Sequence, residues 1–308
     1  GIHTIIINIG RGADLYSELL EVACQTLLSI FGYQTPIESN DLLIEAIHPL
    51  YKLLEHCLSL KQIISTHPAA FSYPSDPNFV SDSNEDQQIP HKTIDWSSLN
   101  ESGVSHLSAA SNIIDCYVEI TNKESSIIYN IFNEKIGLTL VSFLDDESMT
   151  LTPSALRLVG NLSVSQKHQI QESLIRAGLL PRLVNLISTP LAVDAFWCFS
   201  NLLESTTSMI LPLFQNQTDF ISKIIEITID SSIDVKREAS YFLSSLIIFS
   251  PTSFLPIFLG VSDIVDILVE MLGCGVVSII VRCFDCLKKL LLFCQTNLYK
   301  SDSHSNST

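Results

Sequence analysis

Four short segments of this sequence can be laid over one another: ALRLVGNLS from Ala155, AFWCFSNLL from Ala195, ASYFLSSLI from Ala239 and CFDCLKKLL from Cys283. Their starts are 40, 44 and 44 residues apart. Stepping back by about 42 residues, one more period of the same size, reaches IIDCYVEIT at Ile113. This spacing constrains the fold more than any other feature. A unit of that length cannot bury its own apolar face and must stack on its neighbours.

Between these segments one grammar recurs: a short helix, a Gly or Asn break, and a second apolar helix of about ten residues. In ESLIRAGLLPRLVNLIS, residues 172–188, Ala177-Gly178 closes one helix and Pro181 enters the first turn of the next. Leu179, Leu180, Leu183, Val184 and Ile187 form its buried stripe. NQTDFISKIIEITI and GVSDIVDILVEML repeat the theme, with Asp219 and Ser262 as candidate caps. Three helices per unit of about forty residues is an armadillo or HEAT layout. The expected fold class is therefore all-α, a right-handed α-α superhelix of the armadillo/HEAT-like solenoid kind. By the same arithmetic residues 101–295 hold about four to five repeats. Residues 1–65 read as degenerate armadillo-like helices, with LYSELLEVACQTLLSIF as one long helix and DLLIEAIHPLYKLLEHCLSL as a pair. Residues 66–100, rich in Pro, Ser and Asp, read as an acidic insertion loop, and 296–308 as an unstructured tail.

A hydrophobic content of 46% is enough for the chain to bury much of itself, which excludes a disordered protein. The net charge of −16 is uneven, with 20 acids and 6 bases in residues 1–150 against 13 and 11 in the remainder. Such a field disfavours nucleic acid and anionic membranes and attracts basic peptides, although solvated acidic faces are common. The eight cysteines are scattered through apolar helical text, so a reducing compartment without disulfides is expected. GIHTIIINIG is too short for a signal peptide and lacks a basic flank; a chain opening on Gly reads as a fragment. Ala239 to Ser262 carries no charge, but Pro251, Pro256 and several serines argue against a membrane span.

No metal spacing, phosphate loop or nucleophile motif appears, so no enzyme and no cofactor are expected. Cys283 and Cys286 form a CxxC inside a repeat helix without a second ligand pair, which reads as buried structural cysteine.

Trp197 and Asn201 lie four apart and hence on one helix face. With Phe196, Phe199 and Leu202, like Leu156, Val159 and Leu162 one unit earlier, filling the core side, that face is the concave, partner-binding one. PSALRLVGNLSVS, AGLLPRLVNLIS with AFWCFSNL, KREASYFLSSL and IIVRCFDCLKKLL resemble four consecutive C-terminal repeats of importin-α, the armadillo adaptor for nuclear localisation signals. The resemblance spans about 190 residues by repeat arithmetic.

It implies an extended basic cargo peptide in the groove, its backbone clamped by Asn201 and Asn161 and its lysine stems lying against Trp197 and Tyr241. Arg157 stands in a slot where the family also has Arg. Asp194 and Glu238 stand where the family has Glu, and Ser200 belongs to the same surface. The implied role is protein import, in cytoplasm and nucleus, with importin-β recruited through an N-terminal arm that these residues lack. Ser245 replaces an Asn, Lys167 stands near a family Asp, Asp285 and Lys289 occupy the next ring and amide slots, and Asp115 and Glu119 the preceding ones. The alternatives are a non-transport scaffold for protein assembly and a membrane-associated member of the same superfamily.

Overall fold

The computed structural model describes residues 5–6, 9, 17–32, 40–58, 64–65, 93–94, 101–145, 149–165, 168–211, 218–261 and 263–305. The chain divides into two compact units, one of residues 1–130 with 142–155, the other of 131–141 with 156–308.

The first unit is built on α1 (Ser17–Gly32), α2 (Asn40–Leu58) and α3 (Glu101–Lys123). Between α2 and α3, a two-residue strand pair sets Ile64 opposite Ile94 and Ser65 opposite Thr93. Residues 66–92, most of the expected insertion loop, lie outside the described residues. Cys24, Leu27 and Phe31 of α1 and Ala110, Ile113, Ile114 and Tyr117 of α3 are buried, and the two helices pack closely on one another.

The sequence reading makes 41–60 a pair of helices, but α2 is one helix that runs through Pro49. Proline inside a helix costs about 3 kcal/mol. Leu43, Ala46, Ile47, Leu50, Leu53, Leu54 and Cys57 nevertheless form a single buried stripe along the whole of α2, and breaking the helix at Pro49 would expose half of it. The Tyr117 hydroxyl, buried, donates to the Ile47 carbonyl at 2.7 Å and ties the segment beside the proline to α3.

The repeats follow. After the short helix α4 (Ile128–Ile131) come α5 (Glu134–Ser142), α6 (Thr152–Ser163), α7 (His168–Arg176), α8 (Leu179–Leu186), α9 (Ala192–Ile210), α10 (Thr218–Asp230) and α11 (Ile233–Phe249). The last are α12 (Leu255–Leu259), α13 (Ile264–Met271) and α14 (Val277–Ser305). The four segments that define the period fall in α6, α9, α11 and α14, the third helix of each unit.

The breaks are where the sequence puts them. Gly178 has φ 87°, a left-handed conformation that closes α7. Arg182 Nη1 then reaches back from α8 to the Gly178 carbonyl at 2.9 Å. Asp263, with φ 71°, performs the corresponding turn before α13. Asp219 stands inside α10, which begins one residue earlier, and Ser262 lies outside the described residues.

The expected core positions of the third helices, Leu156, Val159, Leu162, Phe196, Phe199 and Leu202, are all buried. Phe242 of α11 stacks obliquely on Phe196 and Phe199, with ring centroids 5.9 Å and 5.1 Å away. Cys283 and Cys286 are buried in α14, and burial pushes the Cys286 thiol up to about 12. The final helix continues to Ser305, past the boundary expected at 295, because no Gly or Pro after Gly275 interrupts it.

The uncharged stretch 239–262 is broken at Ser250-Pro251 between α11 and α12. Among the described residues no single helix is long and apolar enough to cross a membrane, whereas two sharply bent helix pairs pass that length and composition test together.

Phe242 joins two repeats, so Phe242→Ala is expected to cost about 3–5 kcal/mol, read as a lowered urea midpoint. Phe242→Leu should cost less than half of that.

Candidate functional site

The residues singled out by the sequence lie on consecutive third helices, and the structure brings most of them together in the second unit. Trp197 is half-buried, and the six-membered ring of its indole packs against Gly160 of α6. A Cβ built at Gly160 would stand 2.0 Å from the ring carbon Cζ3. Only glycine leaves room for an aromatic ring against a helix backbone at that distance. One turn after the tryptophan, Asn201 Nδ2 donates to the Gly160 carbonyl at 3.3 Å. That carbonyl is open at the end of α6 because Val164 turns its N–H to Asn161 instead. Asn201 is also half-buried, and the bond uses one of its two amide protons. Asn161 is half-buried beside this seam.

One turn before the tryptophan, Asp194 Oδ2 stands 4.0 Å from Nε of the exposed Arg157, at the outer limit of an ion pair. The Asp194 carboxyl is held above its ordinary value of 3.8 by burial, with Arg157 opposing the rise. Glu238, on α11, is raised above its ordinary 4.5 by burial and then by the charge of Asp194. The two carboxyls thus share one half-buried field.

Two expectations are revised, and a departure from the family pattern is explained. Ser200 does not belong to the open surface: it is buried, and its hydroxyl donates to the Phe196 carbonyl at 2.9 Å. It stands one turn after the buried Phe196, within about 40° of it on the helix wheel at about 100° per residue, which turns it inward. Tyr241 does not offer a free ring. Arg282 of α14 lies 5.0 Å from its centroid and donates to its hydroxyl at 2.9 Å, so the slot is filled from within the chain. Ser245, in the slot that follows Asn201, is fully buried with no bond to its hydroxyl.

Gly160 was missed, and Lys289 was placed in its slot without its role. Gly160 was visible as a glycine inside an apolar helical run, which costs about 1 kcal/mol and usually has a packing reason. Lys289, at the next amide slot, donates to the carbonyls of Ile247, Ile248 and Ser250 at 3.0, 2.7 and 2.6 Å and caps α11. Asn201 and Lys289 therefore do one job: each reaches back to the open carbonyl end of the preceding third helix. Asp115 and Glu119 are half-buried on α3 of the first unit, and Lys167 lies outside the described residues. Among the described residues no cluster of His, Cys, Asp or Glu could hold a metal ion.

No protein-family model matches the sequence, and no curated protein matches it. Solved structures do. A designed armadillo repeat protein has a TM-score of 0.65 at 14% identity, covering 94% of this chain and 100% of its own. Another, solved in complex with the peptide (KR)4, gives 0.62 at 15%, covering 94% and 98%. A computationally designed armadillo protein for modular peptide recognition gives 0.62 at 14%, covering 94% and 99%. The fold is thus that of the armadillo-repeat solenoids.

Gly160→Ala is expected to push the indole off α6. In a Trp96→Phe background, which leaves Trp197 as the sole indole, emission should shift to the red and stability fall by about 1–3 kcal/mol. Unchanged emission would contradict the stacking.

Proposed function

We propose that this chain is a peptide-binding armadillo adaptor that takes an extended basic segment along the third helices of its second unit. One basic side chain lies on Trp197 between Asp194 and Glu238. The observation that carries the reading is the half-buried indole one turn from Asp194, with Asp194 and Glu238 coupled in a field where burial disfavours their charged forms. A lysine or arginine there offsets that penalty and gains cation–π attraction. The designed relative solved with (KR)4 supports the class of ligand, as does the net charge of −16.

The finer reading is a carrier in protein import, similar to importin-α, moving between cytoplasm and nucleus with cargo signals as ligands. A non-transport scaffold is favoured by a separate observation: Arg282 fills the Tyr241 slot and Ser245 turns inward, which shortens the run of recognition positions.

A Lys/Arg-repeat peptide titrated by fluorescence anisotropy tests the binding. Trp197→Ala should weaken it about 2- to 30-fold, the range of a cation–π contact. Asn201→Ala should weaken it too, and added salt should do so throughout. Binding that ignores both substitutions would end the peptide-groove reading.

The pH dependence has a definite sign. Both carboxyls have raised values, so their contribution to folding is present below the ordinary 3.8 and 4.5 and is lost as pH rises through the raised values. A bound cation favours the ionised forms, so peptide affinity should rise with pH from 4.5 toward neutrality. The Asp194→Asn, Glu238→Gln double variant should flatten that rise, seen by calorimetry at several pH values.

A further inference from the structure

The repeat period allows each surface of the last unit to be compared with the same surface one unit earlier, 44 residues before. In the preceding unit Ile221 and Ile225 of α10 and Ser240, Ser244 and Ile247 of α11 are all buried, because α13 and α14 pack over that side. Their counterparts on α13 and α14 are Val265, Val269, Phe284, Lys288 and Leu291, and all five are exposed. Phe284 is 57% exposed and Leu291 63%, against 0% for Ser240 and Ile247. In a solenoid, faces at these positions are ordinarily covered by a neighbouring surface. This one presents an apolar face at positions that the fold itself uses for burial.

Along α14 the face has a regular spacing. Val277, Val281, Phe284, Lys288 and Leu291 follow one another by 4, 3, 4 and 3 residues, the seam of a two-helix coil. Val277 and Val281 are likewise exposed. The seam is complementary to itself when run antiparallel. With a twofold axis midway between Phe284 and Lys288, Phe284 of one copy meets the Lys288 stem of the other, and Val281 meets Leu291. Each Lys288 ammonium then lies near Asp285 of the opposite copy, so the one charge within the seam is matched. Val265 and Val269 of α13 flank the contact.

We propose that this face binds the same face of a second copy of the chain, giving a closed twofold dimer through α14. The dimer leaves the third-helix surface around Trp197 to its own ligand, so the two proposals fail independently.

Sedimentation velocity of the full chain tests the dimer. A concentration-dependent dimer is expected, with its dissociation constant raised about 10-fold or more by Phe284→Glu. Both Phe284 and Leu291 are more than half exposed, so the variants should keep the parent thermal melt. Lys288→Asp should also dissociate the dimer, and adding Asp285→Lys should restore it. That rescue separates a specific antiparallel contact from general stickiness. A monomer at concentrations up to about 0.1 mM, too weak for a specific interface, would overturn the proposal. So would a dimer indifferent to Phe284→Glu, or a Lys288→Asp defect that Asp285→Lys does not repair.

Discussion

The contact between the Trp197 indole and the Gly160 backbone sets the geometry of the seam between α6 and α9. Because position 160 has no Cβ, the ring can lie against the helix instead of standing off it. Asn201, one turn on, is then carried within reach of the Gly160 carbonyl, and Asp194, one turn back, comes to Arg157. Three successive turns of α9 are thereby registered against α6. Phe196, Phe199 and Phe242 fill the space behind them and hold the next repeat to the same register. A larger residue at 160 would move the ring, and the amide and carboxyl contacts would move with it.

The open face is not a uniform ladder. At the amide slots the protein uses Asn201 to satisfy one carbonyl, buries Ser245, and uses Lys289 to satisfy three. At the slots before the rings it has Asp194, then Glu238, then Arg282, a change from acid to base along one strip. The base lies on Tyr241, as a basic ligand would. The strip keeps its two carboxyls near Trp197 and is internally satisfied toward α14. On the proposed peptide-binding reading, this limits how many basic residues of a partner could be read at once. Helix-end carbonyls need donors whether or not a ligand is present, so part of this polar chemistry holds the repeats together.

The period, the Gly178 break, the apolar stripes of α6, α8 and α9 and the shared face of Trp197 and Asn201 were legible because helical periodicity and turn chemistry are local properties of the sequence. What depends on the neighbouring repeat was not. Ser200 and Ser245 look like surface serines until the adjoining helices cover them. Tyr241 looks open until Arg282, 41 residues away, is laid on it. Pro49 suggests a break until the continuous buried stripe of α2 is seen to outweigh it. Gly160 stood inside a segment that defined the repeat, yet its meaning lay in a ring on another helix.

The central claim is that the indole of Trp197, seated on α6, keeps one face for a basic side chain. The most direct measurement is the NMR signal of its Nε1–H in a Trp96→Phe protein as a Lys-rich peptide is added. The account predicts a saturable shift of that resonance, with nuclear Overhauser contacts from lysine side-chain protons to the ring. A peptide that binds elsewhere and leaves the indole signal unmoved, or one that does not bind at all, would contradict it.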